Sequence, residues 1–215
     1  MTKVTTPLCV LMFLLAGCAS DEAATGIDEW AGTTLHFQSR GTFEGESVDL
    51  ALTPAEAADR ETFACVRKYE APLVAGAQDL SRATFHEVKL KGAIVVHGQR
   101  RGFEIELKRH DFGKDAAGTS LKVIPRDDAA MPARGELWFE WEWADLASGE
   151  TLKDRSAQEG TFELQTMTGT PDANGIIPDH TGTFGGLLHA RFSESESVSI
   201  SFTAGCRENE IESDQ

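Results

Sequence analysis

The chain has 215 residues and a formal net charge of −15 at neutral pH, with 35 acidic residues against 20 basic ones. A surface this acidic repels phosphate backbones, so the composition argues against nucleic acid as a partner. The length suits one domain that is large enough to bury a core of its own.

The chain begins with the pattern of a secretory signal. Lys3 precedes an apolar run over residues 8–15. That run is shorter than the about 20 apolar residues that a membrane-spanning helix needs. It is typical of the hydrophobic region of a signal peptide, which is removed from the mature protein. Residues 1–17 are therefore predicted to be a signal peptide.

Residues 15–18, Leu-Ala-Gly-Cys, resemble the lipobox of bacterial lipoproteins, in which small residues precede a cysteine. The resemblance implies that Cys18 is lipid-modified, becomes the new N-terminus and attaches the protein to a membrane. Ala19 follows the cysteine. By resemblance to Gram-negative lipoproteins, the absence of aspartate at that place favours the outer membrane, whereas in a Gram-positive source the anchor stays in the cytoplasmic membrane. The resemblance covers residues 1–19 and says nothing about the mature domain.

The rest of the chain divides into three predicted parts. Residues 18–27 form a lipidated tether, and residues 28–206 form a single β-rich domain. Residues 207–215 are predicted to be a disordered acidic tail, because one apolar residue among them cannot bury enough surface to order the segment.

Alternation of apolar and polar residues with a period of two runs through most of the domain. Alternation puts the apolar side chains on one face of a sheet, as in antiparallel sheets with one solvated face. The predicted fold is therefore mainly β, an antiparallel β-sandwich or open barrel with one packed helix. The alternating segments are 35–38, 48–52, 103–108, 137–143, 162–164 and 198–204.

The packed helix is predicted over residues 54–69. Thr53 and Glu56 have the spacing of a capping box, with a proline between them at the first helical position. Apolar residues then follow along one helical stripe. The alternative is a short helix followed by a strand through residues 63–67. Both interpretations allow Cys65 to face inward.

The cysteines form two groups. Cys9 is removed with the signal and Cys18 is the anchor, which leaves Cys65 and Cys206 in an oxidising compartment. We expect these two to form a disulfide that attaches the predicted helix to the last strand, the alternative being two buried free thiols. Two cysteines without CxxC spacing lack the ligands for a metal, so neither a metal nor a cofactor is predicted.

No catalytic residue is predicted. Residues 110–113, His-Asp-Phe-Gly, contain the letters of a kinase magnesium motif without the other parts of such a site. Residues 172–175 begin like a calcium loop, but the twelfth position is Thr183, which cannot supply the bidentate acid. The six histidines are scattered, and no nucleophile is visibly activated.

Trp138 is the candidate ligand platform. Trp141 and Trp143 share the phase of the apolar positions of their strand, whereas Trp138 falls on the opposite face, among glutamates. We expect this face to meet water, so Trp138 could stack on a sugar ring or on a peptide side chain. The alternative is that a second layer covers it.

These observations predict a lipid-anchored cell-envelope protein that serves as a non-enzymatic binding or structural module. Its expected partners are the membrane, through the anchor, and an envelope protein or glycan. One alternative is a carbohydrate- or peptide-binding domain that uses Trp138. The other is a hydrolase of envelope polymers.

Overall fold

A computed structural model describes residues 34–59, 62–96, 99–127, 130–146, 148 and 150–214. The predicted signal peptide, Cys18 and the tether lie outside the described residues. Within them the chain is mainly β with one short α-helix, which confirms the predicted fold class. The elements are β1 (His36–Phe43), β2 (Glu46–Ser47), β3 (Leu50–Leu52), α1 (Pro54–Ala58), β4 (Phe63–Val74), β5 (Ala77–Gln78), β6 (Thr84–Val96), β7 (Gln99–Lys108), β8 (Ser120–Val123), β9 (Glu136–Ala144), β10 (Thr151–Ser156), β11 (Glu159–Met167), β12 (Thr183–Arg191) and β13 (Ser197–Asp214).

The strands form one sheet in the order β2-β1-β13-β12-β11-β8-β9-β7-β6-β4-β5, with β3 added beside β1 and β10 beside β9. The first half of β13 pairs with β1 on one side and with β12 on the other. From Cys206 onward, β13 pairs in parallel with β4, near the far end of the order. Because β13 takes part in both ends, the sheet closes on itself. The only other parallel pairing among the described strands joins β8 to β9.

The inner face of the closed sheet holds an aromatic core. The ring of Phe103 lies 5.3 Å from that of Phe37 and 5.7 Å from that of Trp141, measured between centroids. Trp141 in turn contacts Trp143 and Phe43. The apolar positions of β9 predicted to face inward are thus buried.

The prediction of a helix over residues 54–69 is wrong, and the alternative of a short helix followed by a strand is confirmed. The capping box forms, since the Thr53 hydroxyl accepts from the Glu56 N–H at 3.3 Å and the Glu56 carboxylate accepts from the Thr53 N–H at 2.8 Å. The helix ends at Ala58, however. The following residues pair with β6 on one side and with β13 on the other, so main-chain pairing outweighs the weak helical stripe. No helix in the described ranges has the length and apolar character to cross a bilayer.

The predicted disulfide between Cys65 and Cys206 is present, but it joins two strands rather than a helix and a strand. Cys65 of β4 lies opposite Cys206 of β13 in the parallel register, with 4.4 Å between their Cα atoms. The bridge is therefore placed where β13 changes partner and the sheet closes.

The prediction of a disordered acidic tail is also wrong, because β13 continues to Asp214. Its backbone is paired with β4, and Ile211 packs against the core. Its acids find cations on the neighbouring strand, since the Lys68 ammonium lies 2.7 Å from the Glu212 carboxylate and 3.4 Å from that of Glu210. Composition alone does not reveal such partners.

The disulfide closes a segment of 141 residues. Cross-linking a loop of this length is expected to stabilise the protein by about 5 kcal/mol, chiefly by restricting the unfolded chain. We therefore expect the double variant Cys65→Ala/Cys206→Ala to lose a few kcal/mol of unfolding free energy in urea titration. Equal free energies for this variant and the wild type would contradict the role given to the bridge.

The core assignment is tested at β9. Trp141→Ala should lower the free energy of unfolding by about 3–5 kcal/mol, since it opens a cavity in a packed aromatic cluster. Leu152→Ala is the control, because that side chain is 53% exposed, and its loss should cost under about 0.5 kcal/mol. Denaturant titration measures both, and similar losses would show that the inner face is misassigned.

Candidate functional site

A groove of about 320 Å³ lies on the outer face formed by β1, β13 and β12. Its floor is the outward side of β13, which presents Ser199 and Ser201. The adjacent strands present longer side chains, and this difference in length creates the groove. We call it the serine groove, and it is lined by Gln38, Ser39, Arg40, Leu187, His189, Ser199, Ile200 and Ser201.

Strand register places a residue of each wall directly opposite each serine of the floor. We call each set of three opposed residues a row. Ser199 lies opposite Arg40 on β1 and opposite His189 on β12. Ser201 lies opposite Gln38 and Leu187 in the same way. Because neighbouring strands are about 4.8 Å apart, the walls stand about 10 Å apart at the backbone and the groove runs along β13.

Two histidines are fixed by the serines of the floor. Nδ1 of His189 lies 2.8 Å from Oγ of Ser199, and Nε2 of His36 lies 3.1 Å from Oγ of Ser201. A catalytic serine–histidine pair also needs a group that orients the base, usually a carboxylate. Within the described residues, no carboxylate hydrogen-bonds to either ring. These bonds therefore position the His189 ring within the groove and the His36 ring beside its floor.

The serine groove contrasts in charge with the rest of the protein. Although the chain carries a net charge of −15, none of the described carboxylates lines the groove. Arg40 is exposed, and its guanidinium has neither an ion pair nor a hydrogen bond in the described part of the chain. The site thus offers a free cation beside hydroxyl, amide and imidazole groups.

The backbones of the groove are fully engaged. β13 lies between β1 and β12, and β12 continues to β11 on its far side. The far side of β1 pairs with β3 and β2. A ligand in the groove is therefore recognised by side chains, since no strand edge is open there.

A second cleft, of about 330 Å³, lies at the rim beside the start of β7 and the turn after β9. Leu146 and Leu152 are exposed along it. Its charges are mostly matched within the protein, since Arg101 donates to Glu46 at 2.5 Å and Lys153 lies 3.5 Å from Glu44. The rim cleft differs from the serine groove in that two carboxylates, those of Glu46 and Asp145, line it.

Trp138 does not form the predicted platform. The expectation that its face of β9 meets water is wrong, because Trp138 is only 8% exposed and Glu140 only 7%. Arg126, just after β8, donates to the Glu140 carboxylate at 2.6 Å, which places the segment after β8 against this face. A ring this buried cannot present its face to a sugar or a peptide.

The outer face of β4, β6 and β7 is a charged layer whose charges are paired with one another. Glu87 is 3% exposed, and its carboxylate lies 3.5 Å from Lys68, 3.6 Å from Lys89 and 3.7 Å from Lys108. Lys89 also binds Glu104 and Glu106 of β7. In the described ranges, no three His, Cys, Asp or Glu side chains are placed to hold a metal ion. We interpret this layer as structural.

Sequence reasoning did not find the serine groove. The alternation over residues 198–204 predicts only the two faces of a strand, and the spacing of the histidines along the chain does not bring them together. Only the register shows that His36 and His189, far apart in the chain, contact two serines on one strand. No protein-family model, curated protein or solved structure matches this chain.

The charged layer yields a prediction at Glu142, which lies directly opposite Glu104. Burial, together with Glu106 and Glu104, raises the pKa of Glu142. A raised pKa in the folded state means that the contribution of Glu142 to stability is greatest below its unfolded pKa and falls as pH rises through the folded one. Glu142→Gln should therefore raise the unfolding free energy at pH 7 by roughly 0.2–1 kcal/mol.

Urea titration at pH 7 and pH 4 measures this effect. The gain from Glu142→Gln should shrink at the lower pH, where the wild-type carboxyl is largely protonated. Glu150→Gln is the control, because the side chain of that exposed acid has neither an ion pair nor a hydrogen bond within the described residues. A loss of stability at pH 7 for Glu142→Gln would contradict the like-charge interpretation.

Proposed function

We propose that the protein is a lipid-anchored cell-envelope protein whose domain binds a glycan strand in the serine groove. The observation that carries the binding proposal is a groove on an acidic chain where, among the described residues, no carboxylate lines the walls and Arg40 has no ion pair. The lipobox resemblance at residues 15–18 supports the anchor, and Ala19 supports sorting to the outer membrane. The disulfide between Cys65 and Cys206 fits an oxidising envelope compartment.

The chemistry of the groove fits a chain of sugar hydroxyls. Sugar hydroxyls donate and accept hydrogen bonds, and so do the serine hydroxyls and the Gln38 amide that line the groove. Arginine adds donors only, and histidine adds a donor or an acceptor according to its tautomer. An extended ligand can therefore be bonded at successive points along β13.

The same geometry favours a glycan over an extended peptide. Extended peptides gain much of their affinity from main-chain hydrogen bonds to an open strand edge. The three strands of the groove are paired on both sides, so they offer no such edge. Recognition by side chains alone suits a ligand whose own polar groups are hydroxyls.

The anchor is tested by Cys18→Ser. Because the variant lacks the atom that carries the lipid, it should no longer incorporate radiolabelled fatty acid and should accumulate unprocessed or leave the membrane fraction. Cys9→Ser is the matched control and should be labelled like the wild type. Unchanged labelling of Cys18→Ser would refute the lipoprotein proposal.

Binding is tested on a glycan array with the full chain in nonionic detergent. Ser199→Leu fills the floor of the groove and removes a hydroxyl, so it should weaken the glycan signals at least about tenfold. Ser120→Leu is the control, since Ser120 is an exposed serine of β8, outside the groove. No signal from the wild type, or equal signals from both variants, would refute glycan binding in the groove.

A further inference from the structure

The two rows of the serine groove differ in charge. The row at Ser199 is flanked by Arg40 and His189, whereas the row at Ser201 is flanked by Gln38 and Leu187. We infer that the glycan is acidic and that a carboxylate, phosphate or sulfate group on it binds Arg40 at the Ser199 row. This inference rests on the proposed glycan binding and names the ligand class of the same site.

The state of Arg40 is the first support. Several arginines of the sheet are held by acids, as Arg101 is by Glu46 and Arg155 is by Glu196. Arg40 has no such partner in the described part of the chain, so its five N–H donors are available. A guanidinium binds carboxylate and phosphate groups through two parallel hydrogen bonds, which makes it selective for such planar or branched anions.

Two of the acids close to this row in the strand pairing are engaged elsewhere, and a third, Glu163 of β11, lies opposite Leu187 at the neighbouring row and does not line the groove. Asp49, just before β3, accepts from the Gly41 N–H at 3.1 Å. Glu159, two strands from the floor, is paired with Arg191. No carboxylate therefore lines the row, and an incoming anion meets no direct competitor for Arg40 within the groove.

His189 supplies the opposite wall of the row. Its Nδ1 is bonded to Ser199, and its Nε2 makes no hydrogen bond within the described residues. The ring is exposed and held in place from the floor. Arg40 and His189 stand on either side of Ser199, so an acidic group lying over that hydroxyl can be contacted from both walls.

The test compares polymers that share a backbone and differ in charge. Polygalacturonate is measured against its fully methyl-esterified form, and dextran sulfate against dextran, on the full chain immobilised in nonionic detergent. The acidic member of each pair should bind at least about tenfold more tightly, and added salt should weaken it. Arg40→Gln should lower the affinity for the acidic polymer about tenfold and should remove most of the difference in affinity between the acidic and the neutral polymer.

Arg82→Gln is the matched control, because Arg82 is an exposed arginine outside the groove and without a resolved partner. It should leave all affinities unchanged. Equal loss in Arg40→Gln and Arg82→Gln would indicate general charge attraction and would overturn the inference. Equal binding of neutral and acidic polymers would overturn it too, while leaving glycan binding intact. Absence of binding to every glycan tested, including the array, would instead refute the proposed function.

Discussion

The fold depends on the double pairing of β13. Its first half completes the face of β1 and β12, and its second half pairs with β4, so a single strand closes the sheet. Two further interactions hold this junction. The disulfide joins Cys65 to Cys206, and the buried Arg67, 1% exposed, donates to Asn209 at 3.0 Å and to the carbonyl of Pro178 at 2.8 Å. A buried guanidinium is tolerated only when its donors are satisfied in this way.

Closure at this strand also fixes the candidate site. The strand that supplies Cys206 to the junction supplies Ser199 and Ser201 to the groove, and the alternation between its two faces is continuous up to that point. Inward positions such as Phe202 enter the aromatic core, so the outward serines cannot change places with them without turning apolar groups to water. Moving the floor of the groove would therefore disturb the core beneath it.

Period-two alternation was enough to predict the fold class, because it depends only on neighbouring residues, as in 137–143 and 198–204. The predictions that proved wrong concern residues whose structure depends on segments distant in the sequence. Residues 63–69 have a helical stripe, yet strand partners on both sides outweigh it. The acidic segment after Cys206 is stabilised by a residue distant in the sequence, because Lys68 of β4 forms an ion pair with Glu212. Trp138 alternates as an outward residue, but the segment after β8 packs against its face. The serine groove requires the register of three strands, which no single segment encodes.

The two charged surfaces of the domain illustrate how structural and ligand-binding charges can be told apart. On the outer face of β4, β6 and β7, lysines and glutamates alternate across strands, and Lys89 is shared between Glu104 and Glu106. Such a layer satisfies its own charges and gains little from a ligand, since any ion entering it would have to displace an existing partner. The serine groove has the opposite character, because its floor hydroxyls bond two histidines while Arg40 has no ion-pair partner in the part of the chain that the structure describes. Because the chain has a large excess of acids, an arginine that none of the described acids contacts is stronger evidence for a ligand than a charge that is already paired.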